Sequence, residues 1–187
     1  MEMNNEGWVD GVRRVPSPNF DARPAAMPIE LRVIHNISLP PAEFGGSGVI
    51  ELFTNQLDPN AHPYYATIHE LRVSAHFFIR RDGELIQFVS CAARAWHAGV
   101  SSWRGREDCN DYSIGVELEG CDERPFTAKQ YRTLAALTRA LQSRYPLTGV
   151  AGHSHIAPGR KSDPGPRFNW KRYFALAKAS FLHSPLA

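Results

Sequence analysis

The 187-residue sequence contains no apolar run near the ~20 residues that a membrane-spanning helix needs, so no stretch reads as a transmembrane segment. The opening Met1-Glu-Met-Asn-Asn-Glu-Gly-Trp8 has neither a basic nor an apolar region, so no export signal is expected. Charge of one sign is not in excess either, with 21 Lys and Arg against 19 Asp and Glu. Without a basic block, electrostatic capture of nucleic acid or of a membrane surface is not expected, and an anionic partner must be met by individual arginines. Cysteine is scarce. Cys91, Cys109 and Cys121 form an odd set with no C-x-x-C spacing, which excludes a disulfide framework and a cysteine zinc site and leaves reduced thiols. No internal repeat is visible. The expectation is a cytoplasmic monomer with no nucleic-acid and no membrane partner.

What is present suffices for one packed domain: 43% of the residues are hydrophobic, and a chain of this size buries about 70% of its unfolded surface. Residues 1–30 are polar and punctuated by Pro16, Pro18, Pro24 and Pro28, which suits an arm packed on the domain better than a helix or strand. The domain then runs over 31–182, with a tail at 183–187. Short β-rich runs predict strands near 31–36, 75–79, 85–89, 113–119 and 149–153. Asp82-Gly83 marks a hairpin between the second and third of these. A helix is expected from Val49, followed by a loop over 58–63. Thr127 and Gln130 have capping-box spacing ahead of Tyr131, Leu134, Leu137 and Leu141. Asn169 is placed to cap a last helix with Trp170, Tyr173, Phe174, Ala177 and Phe181 on one stripe. Residues 92–111 lack periodicity, and a loop of that length in a small domain is usually functional. The predicted class is α/β, a single domain with a central mixed sheet flanked by helices.

Eight histidines stand at positions 35, 62, 69, 76, 97, 153, 155 and 183. His35 and His153 each end an apolar strand, so both can project from one sheet edge, where α/β proteins build their clefts. Asp163 lies in a loop stiffened by Pro158, Pro164 and Pro166. Two histidines and a carboxylate leave one tetrahedral position open, as in a hydrolytic zinc site. Asp163 also reads as an ordinary Asp-Pro turn residue, and spacing alone leaves both readings open. The alternation of 113–119 puts Ile114, Val116 and Leu118 on one face and Ser113, Gly115, Glu117 and Glu119 on the other. A partly buried Glu117 would have a raised pKa suited to proton transfer; a surface position would give it no such role. Lys161 could set an ammonium over a developing oxyanion, or could be a solvated loop lysine.

The segments His35-Asn-Ile-Ser-Leu-Pro-Pro, Asp58-Pro-Asn-Ala-His-Pro, Leu71-Arg-Val-Ser-Ala-His, Arg80-Arg-Asp-Gly-Glu, Arg94-Ala-Trp-His-Ala-Gly-Val-Ser-Ser, Asn110-Asp-Tyr-Ser-Ile-Gly-Val-Glu-Leu-Glu-Gly and Lys161-Ser-Asp-Pro-Gly-Pro together resemble the cytosolic AmpD amidases. The resemblance runs from about residue 6 to 176. It implies the fold shared by phage lysozyme-type amidases and peptidoglycan-recognition proteins, with Zn2+ held by His35, His153 and Asp163. It further implies Glu117 as catalytic acid/base and Lys161 as the group stabilising the tetrahedral intermediate. The activity implied is hydrolysis of the amide between the lactyl group of 1,6-anhydro-N-acetylmuramic acid and L-alanine in a small soluble muropeptide. The implied setting is peptidoglycan recycling, with an indirect effect on β-lactamase induction. In the wider fold the third ligand is commonly a cysteine, and Asp163 stands in its place here, as in the AmpD branch. His155 and Gly159 depart from the loop forms of that family. The carboxylates of such a substrate suit guanidinium partners, which makes Arg72 and Arg106 candidates, and Asn36 and Trp96 flank motif positions and could line the groove. A non-catalytic muropeptide-binding module and a cell-wall-lytic amidase of the same fold are the alternatives.

Overall fold

The structure is a computed structural model that describes residues 1–178 and 183–185. Along the chain it has β1 (Arg13–Arg14), β2 (Phe20–Ala22), β3 (Leu31–Ile37), α1 (Gly48–Phe53), α2 (Pro63–Ile68), β4 (Phe77–Ile79), β5 (Leu85–Gln87) and β6 (Ala93–Ala95). There follow β7 (Ser102–Trp103), β8 (Arg106–Glu107), a 3-10 turn at Cys109–Asp111, β9 (Ser113–Glu119), α3 (Ala128–Arg144), β10 (Gly149–Gly152), α4 (His153–Ile156) and α5 (Trp170–Ala177). Six strands form one mixed sheet in the order β1-β5-β4-β9-β3-β10. Only β4 and β5 are antiparallel in it, joined through the turn that contains Gly83. The fold is α/β, as the sequence predicts.

The period-two pattern of β9 decides how the sheet is covered. Ile114, Val116 and Leu118 join Ile34, Phe77 and Ile79 under α3 and α5, whose Leu134, Leu137, Leu141 and Tyr173 complete the largest core. The opposite face is covered by α1 and α2 at one end and by the 98–112 segment with α4 at the other. The start of α3 is fixed by the expected capping box, in which Thr127 accepts from the Gln130 amide and Gln130 accepts from the Thr127 amide. Asn169 caps α5 by accepting from the Arg172 amide. Phe181, expected on the α5 stripe, lies outside the described residues, as does the predicted boundary at 182.

Three expectations need correction. The N-terminal arm is not free of strands: β1 pairs in parallel with β5 and β2 antiparallel with β6. Pro16 and Pro18 fall between these pairs and so cost no ladder bond. The Gln87 side chain latches the arm down, accepting from the Val9 amide and donating to the Gly7 carbonyl. The loop expected over 58–63 leads straight into α2, because Pro63 sits at the first helical position and His62 accepts from the Tyr64 amide. Residues 92–111, expected to be irregular, hold β6, β7, β8 and the 3-10 turn. Beyond α5, His183 pairs with the edge of β10.

No helix among the described residues is long and apolar enough to cross a membrane.

Candidate metal centre

Parallel pairing of β3 with β9 sets His35 directly beside Glu117 in register, and β10 runs on the other side of β3 with Gly152 opposite Ile34. His153 therefore leaves the sheet one strand away from His35, at the carboxyl ends of the strands, where such sheets build clefts. The prediction that His153 ends a strand is off by one residue. The strand stops at Gly152 because the His155 ring turns back and accepts from the Gly152 amide, so that His153 opens α4.

The segment from His153 to Asp163, ten positions apart, is folded into a closed loop. The Ser154 amide donates to the Asp163 carbonyl, and Gly152 allows the approach, since a Cβ there would lie 2.5 Å from Pro164 Cδ. The result is a triangle of ligand atoms. His35 Nδ1 lies 3.0 Å from His153 Nδ1 and 3.0 Å from Asp163 Oδ2, and His153 Nδ1 lies 3.2 Å from the same oxygen. All three side chains are largely or fully buried, and among the described residues this is the group of His, Cys, Asp or Glu that could hold a metal ion.

Hydrogen bonds on the far side of each ring decide what the triangle wants. His153 Nε2 faces the Ala98 carbonyl at 3.1 Å. A carbonyl only accepts, so Nε2 carries the proton and Nδ1 presents a lone pair. For His35 the chain is longer: His35 Nε2 meets His97 Nδ1 at 3.0 Å, His97 Nε2 meets Ser113 Oγ at 3.1 Å, and the Ser113 hydroxyl donates to the Cys109 carbonyl at 2.5 Å. The terminal carbonyl fixes every proton back along the chain, and His35 Nδ1 is again a lone pair. Two imine nitrogens and a carboxylate oxygen thus converge with no hydrogen left between them. Their spacings approach the about 3.3 Å edge of a tetrahedron whose metal bonds are about 2.0 Å. Burial lowers the pKa of His35 to about 4, against the opposing pull of Asp163, so a proton is a poor substitute for a cation. Although burial pushes the Asp163 carboxyl up, the two imidazoles that face it hold it below its ordinary range. The donor set fits a borderline divalent ion such as zinc.

Glu117 Oε1 lies 4.0 Å from His35 Nδ1, and Oε2 is buried with no hydrogen-bond partner among the described residues. Burial, and then the charge of Asp163, raises the Glu117 pKa well above the usual carboxylate value, with Lys161 opposing. Glu119, on the same face of β9, does different work: it accepts from the Gly45 and Arg81 amides and ties two loops to the sheet.

A groove of about 770 Å³ opens over the triangle, lined by Glu117, His153, Lys161 and Asp163 together with Asn36 and Trp96. Arg72 is exposed and donates to the His69 and Leu71 carbonyls beside it. Arg106 lies on β8, paired with Glu30 at 2.7 Å and stacked 3.9 Å over Tyr112. Neither guanidinium is among the groove-lining residues. His97 and Ser113 went unassigned on sequence. Their places in the aperiodic 92–111 stretch and on the Glu117 face of β9 mark the neighbourhood of the site, but not the hydrogen bonds that join them to His35.

Residues 25–166 match the family model of N-acetylmuramoyl-L-alanine amidase. The chain is 58% identical over 178 residues to 1,6-anhydro-N-acetylmuramyl-L-alanine amidase AmpD of Citrobacter freundii, covering 94% of this chain and 95% of that one. A crystal structure of a selenomethionine derivative of AmpD superposes with a TM-score of 0.91 at 58% identity, over 94% of this chain and 99% of that one. The amidase AmiD of Escherichia coli, in complex with the substrate anhydro-N-acetylmuramic acid-L-Ala-D-gamma-Glu-L-Lys, matches with a TM-score of 0.59 at 29% identity, over 93% of this chain and 65% of that one. By sequence and by fold, the chain belongs to the N-acetylmuramoyl-L-alanine amidase family, in its AmpD branch.

Proposed function

We propose that this amidase cleaves the bond between the lactyl group of 1,6-anhydro-N-acetylmuramic acid and L-alanine in soluble muropeptides, using zinc held by His35, His153 and Asp163. The observation that carries the reading is the convergence of three proton-free ligand atoms beside a buried Glu117, whose Oε2 has no hydrogen-bond partner among the described residues, at the floor of a groove. The substrate is taken from what the relatives act on, and the cytoplasmic, recycling role rests on the AmpD relationship.

When bound, zinc supplies Lewis acidity toward the scissile carbonyl and toward the attacking water. Glu117 accepts a proton from that water and returns it to the leaving amine of L-alanine. Its raised pKa brings it nearer to neutral operating pH, as proton transfer requires. Lys161 neutralises the charge that develops on the carbonyl oxygen. Trp96 and Asn36 line the groove and contact the sugar and the peptide.

The test is release of free stem peptide from 1,6-anhydro-muropeptide by the zinc-loaded protein, with Asp163→Asn and Glu117→Ala as controls and intact peptidoglycan sacculi as a second substrate. Turnover of the soluble substrate that both variants abolish supports the reading. Equal turnover in the variants removes the site assignment, and preference for sacculi turns the protein into a wall-lytic amidase.

A further inference from the structure

The first hydrogen-bond partners that orient His35 and His153 are neighbouring residues. His35 is oriented by the side chain of His97, and His153 by the carbonyl of Ala98. Both backbone amides of this dipeptide donate to one atom: the His97 and Ala98 N–H groups lie 3.1 and 2.8 Å from Asn110 Oδ1. Asn110 is buried in the 3-10 turn before β9 and touches neither ligand. We propose that Asn110 is a positioning residue for the metal, its side-chain oxygen setting the affinity of the cage through both histidines at once. This inference rests on the zinc reading above.

Two further features leave the dipeptide a single seat. The His97 ring occupies the space that a side chain at Gly115 would fill, a Cβ there falling 2.4 Å from ring Cγ. The Ala98 carbonyl also accepts from Arg160 at 2.9 Å, and Arg160 bridges on to the Val100 carbonyl. Among the described residues, however, it is the Asn110 oxygen that accepts from both amides. An amide oxygen that accepts two adjacent N–H groups fixes the Trp96–His97 and His97–Ala98 peptide planes, and with them the root of the His97 side chain and the Cα from which the Ala98 carbonyl leaves. Without it the peptide can rotate, the Nε2–H groups lose their acceptors, and each ring can move its proton to Nδ1, where it blocks the ion.

The experiment compares the wild type with Asn110→Ala and Asn110→Asp, the latter keeping an acceptor oxygen in place. Zinc affinity is measured by chelator competition. On the zinc-free proteins, imidazole 15N shifts report the tautomers of His35 and His153, and thermal melts report stability. Asn110→Ala is expected to bind zinc about 10- to 100-fold more weakly and to mix the two tautomers, while Asn110→Asp stays within about threefold of the wild type by the same criterion. Should the alanine protein not fold, Asn110→Ser, whose shorter hydroxyl reaches the two amides poorly, is expected to fall between them. A merely structural asparagine would lower the melting temperature and leave affinity and tautomers unchanged, and that result overturns the proposal. A wild type that binds no zinc overturns the metal reading and this inference with it, whereas tight wild-type binding matched by Asn110→Ala overturns this inference alone.

Discussion

His35 and Glu117 are register partners on adjacent parallel strands, so a candidate metal ligand and a buried carboxylate are fixed side by side by backbone hydrogen bonds. Their relative position therefore does not depend on a mobile loop. Asp163 and Lys161, by contrast, come from the irregular segment after α4, which the Ser154 to Asp163 hydrogen bond and the Gly152 approach hold against the sheet. In the proposed mechanism the rigid half of the site carries the proton and the looped half closes the cage.

Glu117→Gln is expected to lower kcat by about 10²- to 10⁴-fold and, in the zinc-free protein at pH 7, to raise the melting temperature. The Glu117 pKa is raised in the folded protein, so between the ordinary carboxylate value and the raised one the folded chain binds more protons than the unfolded chain. Stability is then lost as pH rises through that window, and the neutral amide escapes the loss. Each kcal/mol recovered corresponds to about 2–4 °C at this chain length. Melts at pH 4 and pH 7 check it: a gain at pH 7 that shrinks at pH 4 is expected, and a lower melting temperature at pH 7 contradicts the account.

The alternation of 113–119 was legible because strand period alone assigns Ile114, Val116 and Leu118 to the core and Glu117 to the other face, and the structure places them so. The capping residues Thr127 and Asn169 were legible for the same reason, being local. His97 was not, because its seat is defined by Gly115 on another element and by Asn110 thirteen residues on. At Arg106, residue type alone says nothing of the Glu30 partner that the guanidinium takes in the structure. Long-range partners decide such positions, and no local pattern encodes them.

His76 is expected to make the protein acid-labile well above the carboxylate range. It is fully buried, accepts from the Gly115 amide at Nδ1, and lies 3.0 Å from Arg23. Burial and then that guanidinium hold its pKa well below 6.5. The unfolded chain takes up a proton below about 6.5 that the folded chain refuses, so this contribution is intact above that pH and is lost as pH falls. One such group changes stability by at most about 1.4 kcal/mol per pH unit. Denaturant titrations from pH 7.5 to 5 check this, with His76→Asn expected to give a shallower acid slope. Equal slopes in the two proteins would remove His76 as the cause.

Thr127→Ala is expected to destabilise the fold without touching the chemistry. The hydroxyl accepts from the Gln130 amide and donates to the Arg81 carbonyl, so it joins the start of α3 to the β4–β5 turn. Losing an N-cap of this kind costs about 1–2 kcal/mol, a fall of about 2–8 °C in melting temperature. Thermal melts check the first part and kcat the second; a fall in kcat at temperatures where the variant is fully folded would show that α3 positions the site.

Lys161→Ala separates binding of the ion from stabilisation of the reacting oxygen. Lys161 lines the groove beside Asp163 and Glu117 and contributes no atom to the ligand triangle. Zinc affinity should therefore change by less than about threefold, well short of the 10- to 100-fold that loss of a ligand-orienting partner brings. The negative charge on the carbonyl oxygen forms only along the reaction path, so the loss should fall on kcat, by about 100- to 1000-fold, with KM little changed. Lys161→Arg restores charge but not the compact ammonium and should recover only part of the rate. A rise in KM at constant kcat would instead place Lys161 among the groups that bind the stem peptide.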